Sequence, residues 1–249
     1  MAAFLYRMPN GIPGDVTRQS ISTIEAQVLN SAAAFSAYGL FGKMATNKFI
    51  PITTSDVASS VYGLMVRPNP ITGANASDPL GTSAPPTTGI ANVLKRGYAT
   101  VLLKSGTAAV DGQVYVRIGN ASTPKPIGGI EAAPEQSVAA GVITGTGTGT
   151  IAATVAAGVI PGTWSLVLQT TSQTSKVTVI DPNGLRHPDA TVGSAYTSGG
   201  LTFTITAAGT MTAADSFAPV VTVNTLAVPN CKFCAAADAS GNVEIAYNI

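Results

Sequence analysis

Short runs of β-branched and aromatic residues, separated by turn-forming residues, set the pattern of this chain. Residues 98–103 and 113–118 form runs of about six, the usual length of one strand. Gly106, Asp111-Gly112 and Gly119-Asn120 punctuate them, and these residue types tolerate the positive φ of tight turns. The stretch 93–133 is therefore expected to form an antiparallel meander. Residues 38–54 read as a hairpin turning near Thr46-Asn47-Lys48, and residues 60–66 as a further apolar strand ending at Arg67-Pro68. Alternation is clearest at residues 201–206, where Leu201, Phe203 and Ile205 would face a core and Thr202, Thr204 and Thr206 the solvent.

Residues 20–29 admit two readings. Ser22 and Glu25 have capping-box spacing, and Ile21, Ile24 and Val28 fit a helical face. Ile24, Ala26 and Val28 also alternate with Glu25 and Gln27, as on a half-buried strand. The β-rich surroundings favour the strand. Ahead of it, Pro9, Gly11, Pro13 and Gly14 forbid a regular helix across residues 1–20 and leave an extended arm carrying Phe4, Leu5, Tyr6, Met8 and Ile12. Those apolar side chains need cover, either as a strand on the chain's own barrel or as an arm reaching a neighbouring subunit. Residues 68–89 hold Pro68, Pro70, Pro79, Pro85 and Pro86 among many small polar residues, the composition of a binding loop or a flexible segment.

After Pro134 the texture changes to a Thr/Ala/Gly/Val sequence across residues 138–223, which reads as a second β module with Trp164 and Phe203 filling its core. The final stretch then returns to the style of the first part. That return implies an insertion, with the boundaries 1–20 for the arm, 21–136 plus 226–249 for the first domain and 137–225 for the inserted one.

Composition sharpens this all-β reading. The 249 residues hold 26 Gly and 16 Pro, aromatics make up 6%, and no long helix-periodic segment stands out. Charged residues are only 10% of the chain, against roughly 25% in ordinary soluble domains. A surface so poor in charge is often covered by something. The net charge is +1 with no basic stripe, so nucleic acid is not an expected partner. The start of the chain lacks the layout of a signal peptide, and no apolar run approaches the roughly 18 residues needed to span a bilayer. Synthesis in the cytosol and no membrane partner are expected.

Catalytic signals are sparse. His187 is the single histidine, and a general base needs partners within hydrogen-bond reach. Cys231-Lys232-Phe233-Cys234 has redox or half-zinc spacing, but at separation three on a strand its thiols point to opposite faces. Asp181-Pro182-Asn183-Gly184 starts like a calcium loop but has Leu185 and Val192 where oxygen ligands belong, so it reads as a turn. Gly145-Thr146-Gly147-Thr148-Gly149 lacks the Gly-Lys-Ser/Thr end of a phosphate loop. No enzyme activity, metal or cofactor is expected.

A resemblance adds what these patterns do not supply. The run Pro9-Asn10-Gly11-Ile12-Pro13-Gly14-Asp15-Val16-Thr17-Arg18, together with Ile24-Glu25-Ala26-Gln27-Val28, Ala37-Tyr38-Gly39-Leu40, Val61-Tyr62-Gly63-Leu64-Met65-Val66-Arg67-Pro68, Lys95-Arg96-Gly97-Tyr98, Val114-Tyr115-Val116-Arg117, Pro126-Ile127-Gly128-Gly129 and the ending Gly241-Asn242-Val243-Glu244-Ile245-Ala246, resembles the structural cement proteins of tailed-bacteriophage heads. The middle module resembles a small β domain inserted in or appended to phage head-decoration proteins. The resemblance implies a β-barrel or jelly-roll-like cement domain, with a small β-sandwich or barrel inserted near its C-terminus. It also implies a place on the outer surface of the icosahedral capsid, bridging neighbouring major capsid protein subunits, and a homo-oligomer, dimer or trimer. The residues expected at the capsid or subunit interface are Tyr6, Arg7, Met8, Pro9, Ile12, Asp15, Arg18 and Arg67. The competing expectation is a virion adhesin or carbohydrate-binding module, in which the inserted domain would present exposed aromatics to a host-surface glycan.

Overall fold

The computed structural model describes residues 11–68 and 83–249 and is all-β, with two short 3-10 turns as the helical elements among the described residues. The chain divides into two compact units, Met1–Pro134 with Thr225–Ile249, and Glu135–Asn224.

The first unit begins with β1 (Thr23–Val28), β2 (Phe41–Ala45), β3 (Lys48–Pro51), β4 (Gly63–Val66), β5 (Ile90–Ser105), β6 (Gln113–Arg117) and β7 (Ile130–Glu131). The expected hairpin is β2–β3, and its turn residues Thr46 and Asn47 have φ of 48° and 60°. Positive φ at both central residues is what a two-residue hairpin turn needs to match the twist of its strands. The expected six-residue run at 98–103 is part of a 16-residue strand, β5, which serves two sheets. Its first half lies between β1 and β4, and beyond β4 come β2 and β3. The core there holds Leu29, Phe35, Tyr38, Phe49, Met65, Ala91 and Val93, with Phe35 stacked on Phe49 at 4.8 Å between ring centroids.

The expected meander over 93–133 does not form. β5 and β6 are not neighbours, because β7 lies between them, parallel to β5 and antiparallel to β6. An internal ion pair holds it there. Arg117 on β6 and Glu131 on β7 are both almost fully inaccessible, and the guanidinium donates from Nε and Nη2 to the two carboxylate oxygens at 2.5 and 3.0 Å. Arg117 Nη1 also donates to the carbonyls of Gly119 and Asn120, tying down the connection that leads away from β6.

The inserted unit carries β8 (Gln136–Ala139), β9 (Ile143–Thr144), β10 (Gly149–Val155), β11 (Gly162–Thr163), β12 (Ser165–Leu168), β13 (Lys176–Ile180), β14 (Arg186–Thr191), β15 (Tyr196–Ser198), β16 (Leu201–Ala207), β17 (Ser216–Phe217) and β18 (Val220–Val223). They form three small sheets, β10-β16-β15, β11-β18-β8 and β14-β13-β12-β17-β9. All three contribute to one apolar core, in which Trp164, Leu166, Leu201, Phe203, Ile205 and Phe217 are essentially inaccessible. The alternation at 201–206 is realised on β16. The unit's first and last residues meet, with the Asn224 N–H donating to the Glu135 carbonyl at 2.9 Å.

The chain then returns to the first unit as β19 (Thr225–Phe233) and β20 (Asn242–Tyr247). β19 pairs with β6 and β20, and β20 pairs with β5. The ring β5-β20-β19-β6-β7 is thereby closed, a five-stranded barrel that leaves no free edge of its own.

Candidate interaction surface

Of the residues expected at an interface, Tyr6, Arg7, Met8 and Pro9 lie outside the described residues. Ile12, Asp15, Arg18 and Arg67 are described, and three of them are engaged with their own unit. The chain from Gly11 to Arg18 is strapped along β5. The Gly14 N–H donates to the Thr100 carbonyl, the Thr100 N–H to the Asp15 carbonyl, and the Thr17 N–H to the Tyr98 carbonyl, at 2.8, 2.9 and 3.0 Å. Gly14 makes this possible with φ of +89°, and a Cβ there would lie 2.5 Å from Tyr38 Cβ.

Arg67 clasps the strap from the other side. Its N–H donates to the Gly14 carbonyl and its Nε to the Pro13 carbonyl, both at 2.8 Å, while the guanidinium lies over the Tyr38 ring at 4.7 Å. Asp15 is 4.0 Å from Arg67 Nε. Burial pushes the Asp15 carboxyl above its ordinary pKa, although the Ile12 backbone and Arg67 pull the other way. Arg18 lies over the Tyr98 ring at 3.8 Å and donates to Glu244 on β20 at 3.1 Å, so it joins the two ends of the chain. An exposed ion pair of this kind adds little stability. Ile12 is half-buried at the root of the strap.

A further outward surface comes from β1, whose polarity is opposite to expectation. Ile24, Ala26 and Val28 face out, and Glu25 and Gln27 turn in. The register explains the reversal. Glu25 and Gln27 pair with Val93 and Ala91, which belong to the core, and in an antiparallel pair opposite residues share a face. What accommodates them is Tyr62, whose hydroxyl donates to Glu25 at 2.6 Å and accepts from Gln27 Nε2 at 2.8 Å. Lys95 completes the cluster, with Nζ 3.3 Å from the Tyr62 ring centroid and donating to the Tyr62 carbonyl. Burial pulls the Lys95 pKa down, with Glu25 opposing that shift.

The result is an aliphatic stripe on the outside. Ile24 is 40% exposed, Val28 48%, Ile90, paired with Val28, 67%, and Ile21, just ahead of the strand, 46%. Val28 and Ile90 are direct cross-strand neighbours, and exposed aliphatics grouped on one strand face are candidates for an interface.

Cys231 and Cys234 are free thiols. Burial pushes both pKa values up, that of Cys234 to about 11 with the Glu244 charge adding to it, so neither is a ready thiolate. The glycine-rich Gly145–Gly149 stretch wraps a carboxylate of its own unit. Asp215 accepts N–H groups of Thr146 and Thr212 at 2.9 Å each, and a Cβ at Gly145 or Gly147 would collide with its oxygens. Asp181-Pro182-Asn183-Gly184 is the expected turn, with Asp181 Oδ1 accepting from the Asn183 and Leu185 N–H groups at 2.9 Å each. The aromatics that an adhesin would display are in the core. Trp164, Phe203 and Phe217 are at most 2% exposed, and Tyr196 is 9% exposed.

The family model described as XM1 gp53 minor capsid protein matches residues 1–164. No curated protein and no solved structure matches the chain. The matched residues take in the strap, the aliphatic stripe, β1 to β7 and the first part of the insertion, about two thirds of the 249 residues. The chain belongs to the XM1 gp53 minor capsid protein family and is a structural, capsid-associated protein of a bacteriophage virion.

Proposed function

We propose that this protein binds the outer surface of the phage capsid and reinforces the shell by bridging neighbouring major capsid protein subunits. The observation that carries the reading is the stripe of Ile21, Ile24, Val28 and Ile90, displayed by a chain with only 10% charged residues. Each such patch is small. One molecule touching several subunits converts modest contacts into firm attachment, because the second contact forms at high effective concentration.

In this reading the closed barrel is the rigid body that transmits load between subunits. Residues 1–10 supply a second point of attachment through Tyr6, Arg7, Met8 and Pro9. Their root is fixed, because Gly11–Arg18 is bonded to β5 and Arg67. Asp15, Arg18 and Arg67 then hold the arm in place at that interface. The protein is made in the host cytoplasm, self-associates as a dimer or trimer, and carries its inserted unit away from the shell.

The test is copy number in purified particles, measured by quantitative mass spectrometry against the major capsid protein, with a heat challenge of the same particles. Wild type is expected in hundreds of copies per particle in fixed proportion to the shell protein, and Ile24→Lys with Ile90→Lys in far fewer, with earlier genome release. Unchanged occupancy of the double variant would overturn the stripe as the capsid contact. A handful of wild-type copies per particle would overturn shell-wide reinforcement.

A further inference from the structure

The single histidine has the partners that its sequence context did not reveal. His187 on β14 places Nδ1 3.0 Å from Ser198 Oγ on β15, and Nε2 3.5 Å from Asp181 Oδ2 in the turn after β13. Asp181 Oδ2 and His187 Nε2 are both shut off from solvent, have no hydrogen-bond partner among the described residues, and lie within ion-pair distance of each other. A proton on Nε2 serves both atoms. That tautomer leaves the Nδ1 lone pair directed at the Ser198 hydroxyl, which is the arrangement a general base requires.

The surroundings support the same assignment. The Asp181 side chain is 1% exposed. Burial opposes its ionisation, but the Leu185 and Asn183 N–H groups and the imidazole outweigh that and hold its pKa below the ordinary carboxylate value. The imidazole lies against Trp164, at 5.1 Å between ring centroids. Ser198 is half-exposed and opens the turn Gly199-Gly200, where φ is +58° and +80°. A Cβ at Gly199 would lie 2.8 Å from His187 Cε1, so glycine is what lets the ring approach the turn. The Gly199 amide directly follows the hydroxyl, the chain position from which an oxyanion donor commonly comes. All three residues lie beyond residue 164, outside the stretch matched by the capsid family.

We propose that Ser198, His187 and Asp181 form an acyl-transfer site in the inserted unit, with carboxylic esters as substrates. Ser198 Oγ attacks the ester carbonyl carbon as its proton passes to His187 Nδ1. The tetrahedral intermediate expels the alcohol, which takes that proton, and leaves an acyl-serine. Water then adds to the acyl carbon, losing a proton to Nδ1, and the carboxylic acid departs as Ser198 Oγ regains its proton. Ser198 and His187 are the catalytic residues. Asp181 is a positioning residue that fixes the tautomer, and the two ring nitrogens exchange the roles they have in the familiar Ser-His-Asp arrangement.

The experiment treats the full-length protein with a fluorophosphonate probe and, separately, with p-nitrophenyl acetate, and locates the phosphonylated residue by peptide mass spectrometry. Expected are labelling at Ser198 and nitrophenolate release, both reduced by about 100-fold or more in Ser198→Ala and in His187→Gln, the scale of a lost general base. Melting curves of the same samples report whether the variants are folded. In Asp181→Asn that melts like wild type, kcat for nitrophenolate release should fall while KM stays, because the Nε2 proton loses the acceptor that fixes the tautomer. A merely structural carboxylate would leave kcat of the folded variant in place. Labelling of folded wild type no faster than of Ser198→Ala, or labelling at another residue, would overturn the proposal and leave the three side chains as a cross-strand hydrogen-bond relay.

Discussion

The two units place their few charges differently. In the barrel unit the two most deeply buried charges lie against each other. Arg117 and Glu131 neutralise each other between β6 and β7. In the inserted unit carboxylates are buried against backbone amides. Asp215 takes N–H groups from the Gly145–Gly149 stretch, and Asp181 takes those of its own turn. An ion pair holds two elements in register but leaves an uncompensated charge if either partner goes. A carboxylate in a ring of N–H groups fixes one loop, and its contribution depends on the carboxylate remaining ionised.

The largest expected effect separates these two designs. Arg117→Met leaves Glu131 buried and unpaired and should cost about 3–5 kcal/mol, whereas Arg117→Met with Glu131→Leu should recover most of that loss. Denaturant melts of the two variants check it. If the double variant is as unstable as the single one, the pair positions β7 by more than charge neutralisation.

Acid should act more strongly on the inserted unit. Burial disfavours the ionised forms of Asp215 and Asp181, but their backbone N–H bonds outweigh it and lower both pKa values, while Asp189 is lowered chiefly by its bonds to Arg186 and Gln169. A lowered folded-state pKa contributes stability that is present above the unfolded value of about 3.9 and is lost as pH falls through the folded value. In the barrel unit Asp56 and Asp15 act in opposite directions. Asp56 is lowered by Lys43 and Thr53 against its burial, and Asp15 is raised by burial, so protonating Asp15 favours the fold. Below about pH 4 the melting transition of the inserted unit should therefore fall faster than that of the barrel unit. Asp215→Ala should remove part of that pH dependence. Parallel acid titration of amide protection in both units reads it directly.

The smallest effect should come from the outer stripe. Ile24→Thr and Ile90→Thr remove exposed methyl groups from a surface, so stability should stay within about 0.5 kcal/mol of wild type in a denaturant melt. A larger loss would mean that the stripe packs against part of this chain, and that the polarity of β1 serves folding and not contact.

Much of the architecture was legible beforehand. Period-two alternation on β16 and the Thr46-Asn47 hairpin are local signals, and each corresponds to a local element of the fold. The exposed side of β1 was not legible, because TIEAQV reads identically whichever face is buried. Its orientation depends on Tyr62 and Lys95, which lie 37 and 70 positions from Glu25 in the sequence, and on the pairing with β5. The candidate site in the insertion was hidden for the same reason. His187 sits beside no residue in sequence that marks it as a base, and Ser198 reaches it only through the meeting of two strands.

The sequence by itself determined the all-β class, the turns and the alternating faces, because backbone preference and side-chain period act between near neighbours. Only the tertiary structure decided that β7 separates β5 from β6, that Arg117 and Glu131 are an internal pair, and which face of β1 looks outward. Those outcomes depend on which distant groups satisfy a buried charge or hydrogen bond, and the cost of leaving such a group unpaired is felt only once the chain has closed around it.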